Sequence, residues 1–331
     1  MNHKILFVDR KPFESVSIER VFDQISKDIP ADQFDIESQK MPYGNSPLDI
    51  LLNLLFFRPK LADIYHITGQ IHYMALRLPA DKTVLTIHDL VFLHRRTGVR
   101  RYVLKKLFLD LPVKRLKFIT AISQATKDEI VKYTHCDPGK IRVIENPLVN
   151  GLAPEPIKPF DQKRPIILQI GTSANKNVPN LIRALDGVNC RLRIIGRVSA
   201  NIKEALATSD VQFENVFDLG TKDMIEEYRN ADIIAFCSTY EGFGLPIIEA
   251  QAMKKPVITS YRSPMKDVAG AGAFLADPND VIAIRNGLIK IINEPKYREE
   301  LVLNGTRNIL RFSSKSLAAE YLEIYESVLG N

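Results

Sequence analysis

Apolar runs of two to five residues, each closed by a polar or turn residue, alternate along the whole chain with stretches of helical period. In the first half they are Ile5–Val8, Ile64–Ile67, Val84–Ile87, Phe118–Ile122 and Ile141–Ile144. In the second half they are Ile166–Ile170, Leu192–Ile195, Ile233–Cys237, Val257–Thr259 and Phe274–Leu275. Short, mostly apolar runs of this kind suit strands covered on both faces, as in parallel sheets. The alternation predicts an α/β protein with two doubly wound, Rossmann-like domains and a ligand cleft between them, facing the carboxyl ends of the strands. Asn146 to Pro159 holds four prolines in fourteen residues, too many for a strand or helix, and marks a boundary. The domains are expected over residues 1–150 and 151–315, followed by a last helix from about Ser316 to Leu329.

Composition narrows the class. Of 331 residues, 45% are hydrophobic and 25% charged, as in soluble globular proteins. The first apolar run ends at Asp9 and reads as a strand rather than a secretory leader. The longest apolar stretch, Leu48 to Phe57, is broken by Asp49 and Asn53 and is too short to span a bilayer. Cys136, Cys190 and Cys237 have no metal or redox spacing, so a cytoplasmic protein with reduced thiols is expected. The net charge of +6 lies entirely within residues 1–160. His94 to Lys117 carries nine basic residues (Arg95, Arg96, Arg100, Arg101, Lys105, Lys106, Lys114, Arg115 and Lys117) against Asp110 alone. That surplus suits an anionic partner or a solvated helix face equally well. Pro112 is expected to end its helix early.

Candidate chemistry gathers at the predicted strand ends. Glu241-Gly-Phe-Gly-Leu-Pro-Ile-Ile-Glu249 follows the run Ile233–Cys237. Pro246 suits the start of a helix over Ile247 to Met253, which sets Glu241 in a loop and Glu249 in the first helical turn. Gly242 and Gly244 allow close approach of backbone to ligand, and paired carboxylates suit the hydroxyls of a sugar or ribose. After Ile166–Ile170 come Gly171-Thr172-Ser-Ala-Asn-Lys176-Asn and a helix opened by Pro179, a plausible diphosphate site. After Val84–Ile87 comes His88-Asp89, and His66 and His72 flank the strand-end loop Gly69-Gln70, which is expected to line the cleft.

The run from about residue 231 to 290 resembles the donor-binding half of the retaining GT-B glycosyltransferases of family 4 (glycosyl transferases group 1). Glu241 and Glu249 match that family's E-x7-E pattern. Lys176 matches the lysine of its G-[RT]-x3–4-K-[GN] element, with Thr172 where some members carry arginine. Thr86-Ile-His88-Asp89 resembles its T-x-H-[DE] element. The likeness implies a nucleoside diphosphate sugar as donor, retention of anomeric configuration, and a sugar, glycolipid or lipid-linked acceptor in polysaccharide or glycolipid synthesis. It implies donor contacts from Gly171, Thr172, Lys176, Glu241, Gly242, Phe243, Gly244, Leu245 and Glu249. Glu249 would hold the ribose, Glu241 the transferred sugar and Lys176 the departing diphosphate, with His88 beside the sugar. The last helix would cross back to the first domain. No cofactor is implied, and no metal: lysine and helix termini would neutralise the phosphates. The glycine pair that many members carry after the first strand is missing; Arg10, Ser15 and Ser17 stand there, so Gly69, Asp89 and Ser15 are the acceptor-side candidates. Val216 to Thr221 falls where relatives hold the nucleotide base. Peripheral contact of residues 95–117 with the inner face of an anionic membrane is expected, and contact with nucleic acid is not. Two other readings stay open: a nucleotide-sugar epimerase or hydrolase on this fold, and a catalytically silent subunit.

Overall fold

The computed structural model describes residues 2–11, 17–94, 96–149, 152 and 158–330. Two compact units emerge, Met1–Val149 with Phe312–Asn331, and Asn150–Arg311. Ser15, Arg95 and most of the proline-rich segment after Val149 lie outside the described residues, as does the side chain of Ser17.

The first unit holds a parallel sheet of β1 (His3–Asp9), β2 (Phe34–Lys40), β3 (Ile64–Ile67), β4 (Thr83–Ile87), β5 (Phe118–Ala121) and β6 (Ile141–Val143), in the order β2-β1-β3-β4-β5-β6. The second has β7 (Ile166–Ile170), β8 (Arg191–Ile195), β9 (Gln212–Val216), β10 (Ile233–Phe236), β11 (Val257–Ser260) and β12 (Phe274–Ala276), in the order β12-β11-β10-β7-β8-β9. Every pairing is parallel, with Ile5 opposite Ile64 and Ile167 opposite Ile233. The ten apolar runs all become strands. β2 and β9 are additional, and both are edge strands with mostly exposed, polar residues.

Chain order reverses beside the first strand of each sheet, between β1 and β3 and between β7 and β10. Right-handed crossovers then run to opposite faces on either side of that strand. Their loops part at the carboxyl ends of the two strands, the usual ligand position in open α/β sheets.

The two faces of the first sheet are built differently. Tyr65 and Ile67 point into an apolar cluster with Tyr73, Met74, Phe108 and Leu109. Ile64 and His66, alternate residues of the same strand, point the other way. There the helix Ser314–Leu329 brings Tyr325, whose hydroxyl meets His66 Nδ1 at 2.8 Å, while His66 Nε2 meets Thr86 Oγ1 at 2.7 Å. His66 is therefore a core residue and lines no ligand loop.

His72 is also internal, for a reason that begins at Pro112. The helix Gly98–Lys105 does not stop before that proline. It passes through a π-turn over Lys106–Asp110 and continues as Leu111–Arg115. Pro112 has no N–H to give the carbonyl of Phe108 four residues back. The Nδ1–H of His72 donates to that oxygen instead, at 2.8 Å. The expected early stop fails because a histidine distant in sequence supplies the missing donor.

Burial lowers the pKa of His66 to about 3, with the neighbouring His88 adding to the effect, and that of His72 to about 4 despite the bond to Phe108. Their usual value is 6.5. The unfolded chain binds protons below that value while the folded chain does not, so stability is complete above it. It falls with pH toward 4, by up to about 1.4 kcal/mol per pH unit for each ring. Urea unfolding at about pH 7, 6 and 5 should give a falling midpoint with an unchanged slope; a midpoint constant over this range would show that the rings are not held neutral.

Candidate active site

In the second unit the loops leaving β7 and β10 meet where the strand order reverses. Gly171 has φ +85°, and a Cβ there would lie 2.9 Å from Lys176 Cε. Only glycine lets the lysine stem fold back across this turn. Lys176 Nζ then lies 4.4 Å from the centre of the Phe236 ring and 2.8 Å from Glu241 Oε1. The side chains of this pair are only 18% and 14% exposed. Asn175 Nδ2 donates to the same Glu241 oxygen at 3.2 Å and to Tyr240 O at 3.0 Å, and Thr239 N donates to Asn175 O at 2.8 Å. Asn177, in the left-handed region at φ 60°, fastens the start of the helix Val178–Leu185 by donating to Cys237 O at 3.0 Å and Pro278 O at 2.6 Å. A lysine and a carboxylate sixty-five residues apart are thus held together by side chains bonded to the opposite loop.

Glu249 lies in the second turn of its helix, not the first, because the helix starts at Leu245 rather than Ile247. The hydroxyl of Tyr228 donates to Glu249 Oε2 at 2.5 Å from the helix Thr221–Asn230. Phe243 is buried, which leaves its backbone as the part able to meet a ligand, and Gly244 takes φ +120° just before Leu245. Thr172 Oγ1 donates to Arg197 O at 2.7 Å. Arg197 follows β8, lies over the Phe217 ring at 4.4 Å, and pairs with Asp218.

In the first unit the residues at the reversal are Arg10, leaving β1, and Gly69, leaving β3. A Cβ on Gly69 would come within 3.3 Å of Arg10 N, so the two loops meet at van der Waals distance. Arg10 Nε donates to Glu19 Oε1 at 2.8 Å. Burial raises the Glu19 pKa, but the Arg10 bond and charge outweigh it and hold the carboxyl below its usual value. His88 is buried at the end of β4, and its Nε2 meets Thr68 O at 2.6 Å. That contact requires a hydrogen on Nε2, leaving the Nδ1 lone pair as the acceptor of the neutral ring. Burial lowers the His88 pKa to about 4, against the opposing effect of the Thr68 bond. Near neutral pH the ring is uncharged, so it accepts a hydrogen bond and carries no positive charge toward a phosphate. Asp89 joins two loops: Oδ1 caps Val91 N of its own at 2.9 Å, and Oδ2 accepts from Gln70 Nε2, on the loop leaving β3, at 2.9 Å.

Sequence spacing places Asn177 at the last position of the G-[RT]-x3–4-K-[GN] element but does not signal Asn175, Tyr228, Arg197 or Glu19. The strand order would find Asn175, which sits on the loop that leaves β7 at the reversal. Among the described residues, no three His, Cys, Asp or Glu side chains group as metal ligands would.

Comparison with known proteins agrees with this geometry. Residues 29–148 match the model of Glycosyltransferase Family 4, and residues 155–308 match that of Glycosyl transferases group 1. The chain is 26% identical over 290 residues to the O-antigen chain mannosyltransferase B of Escherichia coli, covering 80% of this chain and 74% of that one. It is 28% identical over 236 residues to the capsular polysaccharide biosynthesis glycosyltransferase CapM of Staphylococcus aureus, covering 64% and 62%. Among solved structures, a glycosyltransferase from Rickettsia africae superposes with a TM-score of 0.74 at 19% identity, covering 100% of this chain and 99% of that one. Anabaena HepE, solved in complex with UDP-glucose, gives 0.75 at 16% identity, covering 98% and 100%. With one family model matching in each unit and two parallel sheets of this topology, the chain belongs to the family 4 glycosyltransferases (glycosyl transferases group 1) of GT-B fold.

Proposed function

We propose that this glycosyltransferase moves a sugar from a nucleoside diphosphate sugar to an acceptor hydroxyl with retention, in the synthesis of a polysaccharide or glycolipid. The observation that carries the reading is the Lys176–Glu241 pair, with Asn175 behind it, at the strand-order reversal of the second unit. Lys176 is assigned the diphosphate, Glu241 with the amides of Gly242–Leu245 the transferred sugar, and Glu249 the ribose hydroxyls. Thr172, whose position holds arginine in some members of the family, is bonded to the backbone of Arg197, whose own guanidinium lies over Phe217 and pairs with Asp218. His88 is assigned a sugar hydroxyl, accepted at Nδ1. The named activities of relatives, two of them O-antigen chain mannosyltransferases, make a mannosyl donor the first to try.

A front-side substitution fits these residues. The bond from the anomeric carbon to the phosphate oxygen breaks while the acceptor oxygen bonds to the same face of that carbon. The hydroxyl proton passes to the departing phosphate, so the enzyme needs no base of its own. Lys176 lowers the energy of the leaving diphosphate as its charge develops, and no metal is required. Residues 96–117 are assigned a peripheral role, drawing the protein toward anionic lipid.

Glu249→Ala should abolish measurable binding of the sugar nucleotide, and Glu249→Gln should weaken it less, because charge-assisted bonds contribute about 1.5–3 kcal/mol each. Tyr228→Phe should fall between wild type and Glu249→Gln, since it removes one bond to the carboxylate without removing its charge. Calorimetric titration reads all three, and unchanged affinity in the alanine variant would remove the ribose assignment. Turnover should persist in excess EDTA. Loss on chelation, restored by Mg²⁺ or Mn²⁺, would mean that a metal and not Lys176 carries the phosphate charge.

A further inference from the structure

The helix Pro47–Phe56 is folded inside out. Its buried positions are Ile50 and Asn53, and Asn53 is completely shielded. Asn53 Nδ2 donates to the Tyr73 hydroxyl at 2.8 Å and to Gly44 O at 3.1 Å, so the helix is fastened inward by an amide. Leu48, Leu51 and Leu55, spaced by three and four residues along the opposite face, are 64%, 51% and 52% exposed, and Phe56 is 59% exposed. Asp49 is its only charged residue, and it is used in the capping box with Ser46. A helix apolar all round belongs in a protein core or in lipid; here Leu54 packs against the core, while Leu48, Leu51 and Leu55 lie in neither.

The patch extends beyond one helix. All of the large apolar side chains that the first unit exposes, among the described residues, fall within positions 43–61 or 99–111. The second stretch supplies Val99, Tyr102 and Val103 from the helix Gly98–Lys105. Both helices cover the same face of the first sheet, joined through Asn53, Tyr73 and Phe108, with the Tyr73 and Phe108 rings 5.2 Å apart. The opposite face, under the helices Ser17–Asp28 and Ser314–Leu329, exposes none.

Charge identifies the occupant. Arg96, Arg100 and Arg101 are exposed among these apolar groups, whereas Lys105 and Lys106 both pair with Asp110, at 2.7 and 3.1 Å. From residue 95 to 109 the chain carries no acidic residue, so this border of the patch is purely basic and complements an anionic surface. Exposed leucines bordered by arginines match the boundary between headgroups and acyl chains of an anionic bilayer. We propose that the first unit docks on such a bilayer by inserting the leucine face of Pro47–Phe56, with Arg96, Arg100 and Arg101 on the headgroups. This extends the peripheral role proposed for residues 96–117 from attraction to insertion, and it is independent of how the donor is bound.

The chain contains no tryptophan, so Leu51→Trp places a single reporter in the leucine face. Vesicles of phosphatidylglycerol and phosphatidylcholine should shift its emission to the blue, and an unshifted spectrum overturns the proposal. Co-sedimentation separates the two components. At about 1 M salt, where the Debye length is about 3 Å, wild type should keep a residual bound fraction. Leu48→Ser/Leu51→Ser/Leu55→Ser should lower the high-salt partition about tenfold or more without moving the melting temperature or sugar-nucleotide affinity. Arg96→Gln/Arg100→Gln/Arg101→Gln should lose only the salt-sensitive part. If the serine variant sediments like wild type, insertion is wrong and attraction alone survives. If neither sediments, the membrane role fails while the glycosyl-transfer reading stands on its own titrations. A blue shift that grows with protein concentration in the absence of lipid would assign the face to a second copy and overturn the proposal.

Discussion

Strand order in an open parallel sheet is the constraint on which everything else here depends. A chain that winds first to one side of its opening strand and then to the other sends its crossovers over opposite faces. The loops at the carboxyl ends of two adjacent strands therefore cannot cover each other. Both sheets of this protein have such a point, and it collects Arg10 and Gly69 in one unit and Gly171, Lys176 and Glu241 in the other. Nearly every polar group singled out at those points is held by a bond to the loop opposite. Asn175 reaches Glu241 and Asn177 reaches Cys237 O.

The Lys176–Glu241 pair carries the electrostatic argument. A partly buried ion pair contributes little to stability once desolvation is subtracted, so its value to the fold is small. Its consequence for binding is larger. Without Glu241 the lysine would be an uncompensated charge above the Phe236 ring, and without Lys176 the carboxylate would rest on Asn175 alone. A ligand with an anionic end and a hydroxylated end can satisfy both members at once, as few other ligands can. Gly171 makes this possible by leaving room for the lysine stem. His88 reaches a polar role differently: burial keeps its ring neutral and the Thr68 carbonyl fixes its tautomer.

What the sequence revealed, and what it hid, follows from burial. The central strands announce themselves because both faces are covered and most of their residues are apolar. β2 and β9 carry Asp35, Glu37, Gln212 and Glu214 to solvent at the sheet edges, so no apolar run betrays them. Glu241, Glu249, Lys176 and His88 were legible as residue types in a pattern, at strand ends. Their partners were not, because Tyr228 and Asn175 act through contacts between segments far apart in the chain. The same limit hid the rescue of Pro112 by His72, thirty-six residues from the carbonyl it serves. It also hid the inverted helix Pro47–Phe56, whose apolar run reads as core until burial assigns Asn53 inward and the leucines outward.

The central claim, that Lys176 and Glu241 form the diphosphate-sugar site of a glycosyltransferase, is tested most directly by titrating sugar nucleotides into wild type and Lys176→Met. Mannosyl and glucosyl donors should be tried alongside the matching free nucleosides. The account predicts that the methionine variant keeps its fold and binds the preferred donor about 10- to 100-fold more weakly, as expected for loss of a charge-assisted bond of about 1.5–3 kcal/mol, while affinity for the nucleoside is unchanged. Equal affinity of the two proteins for the full donor would contradict it.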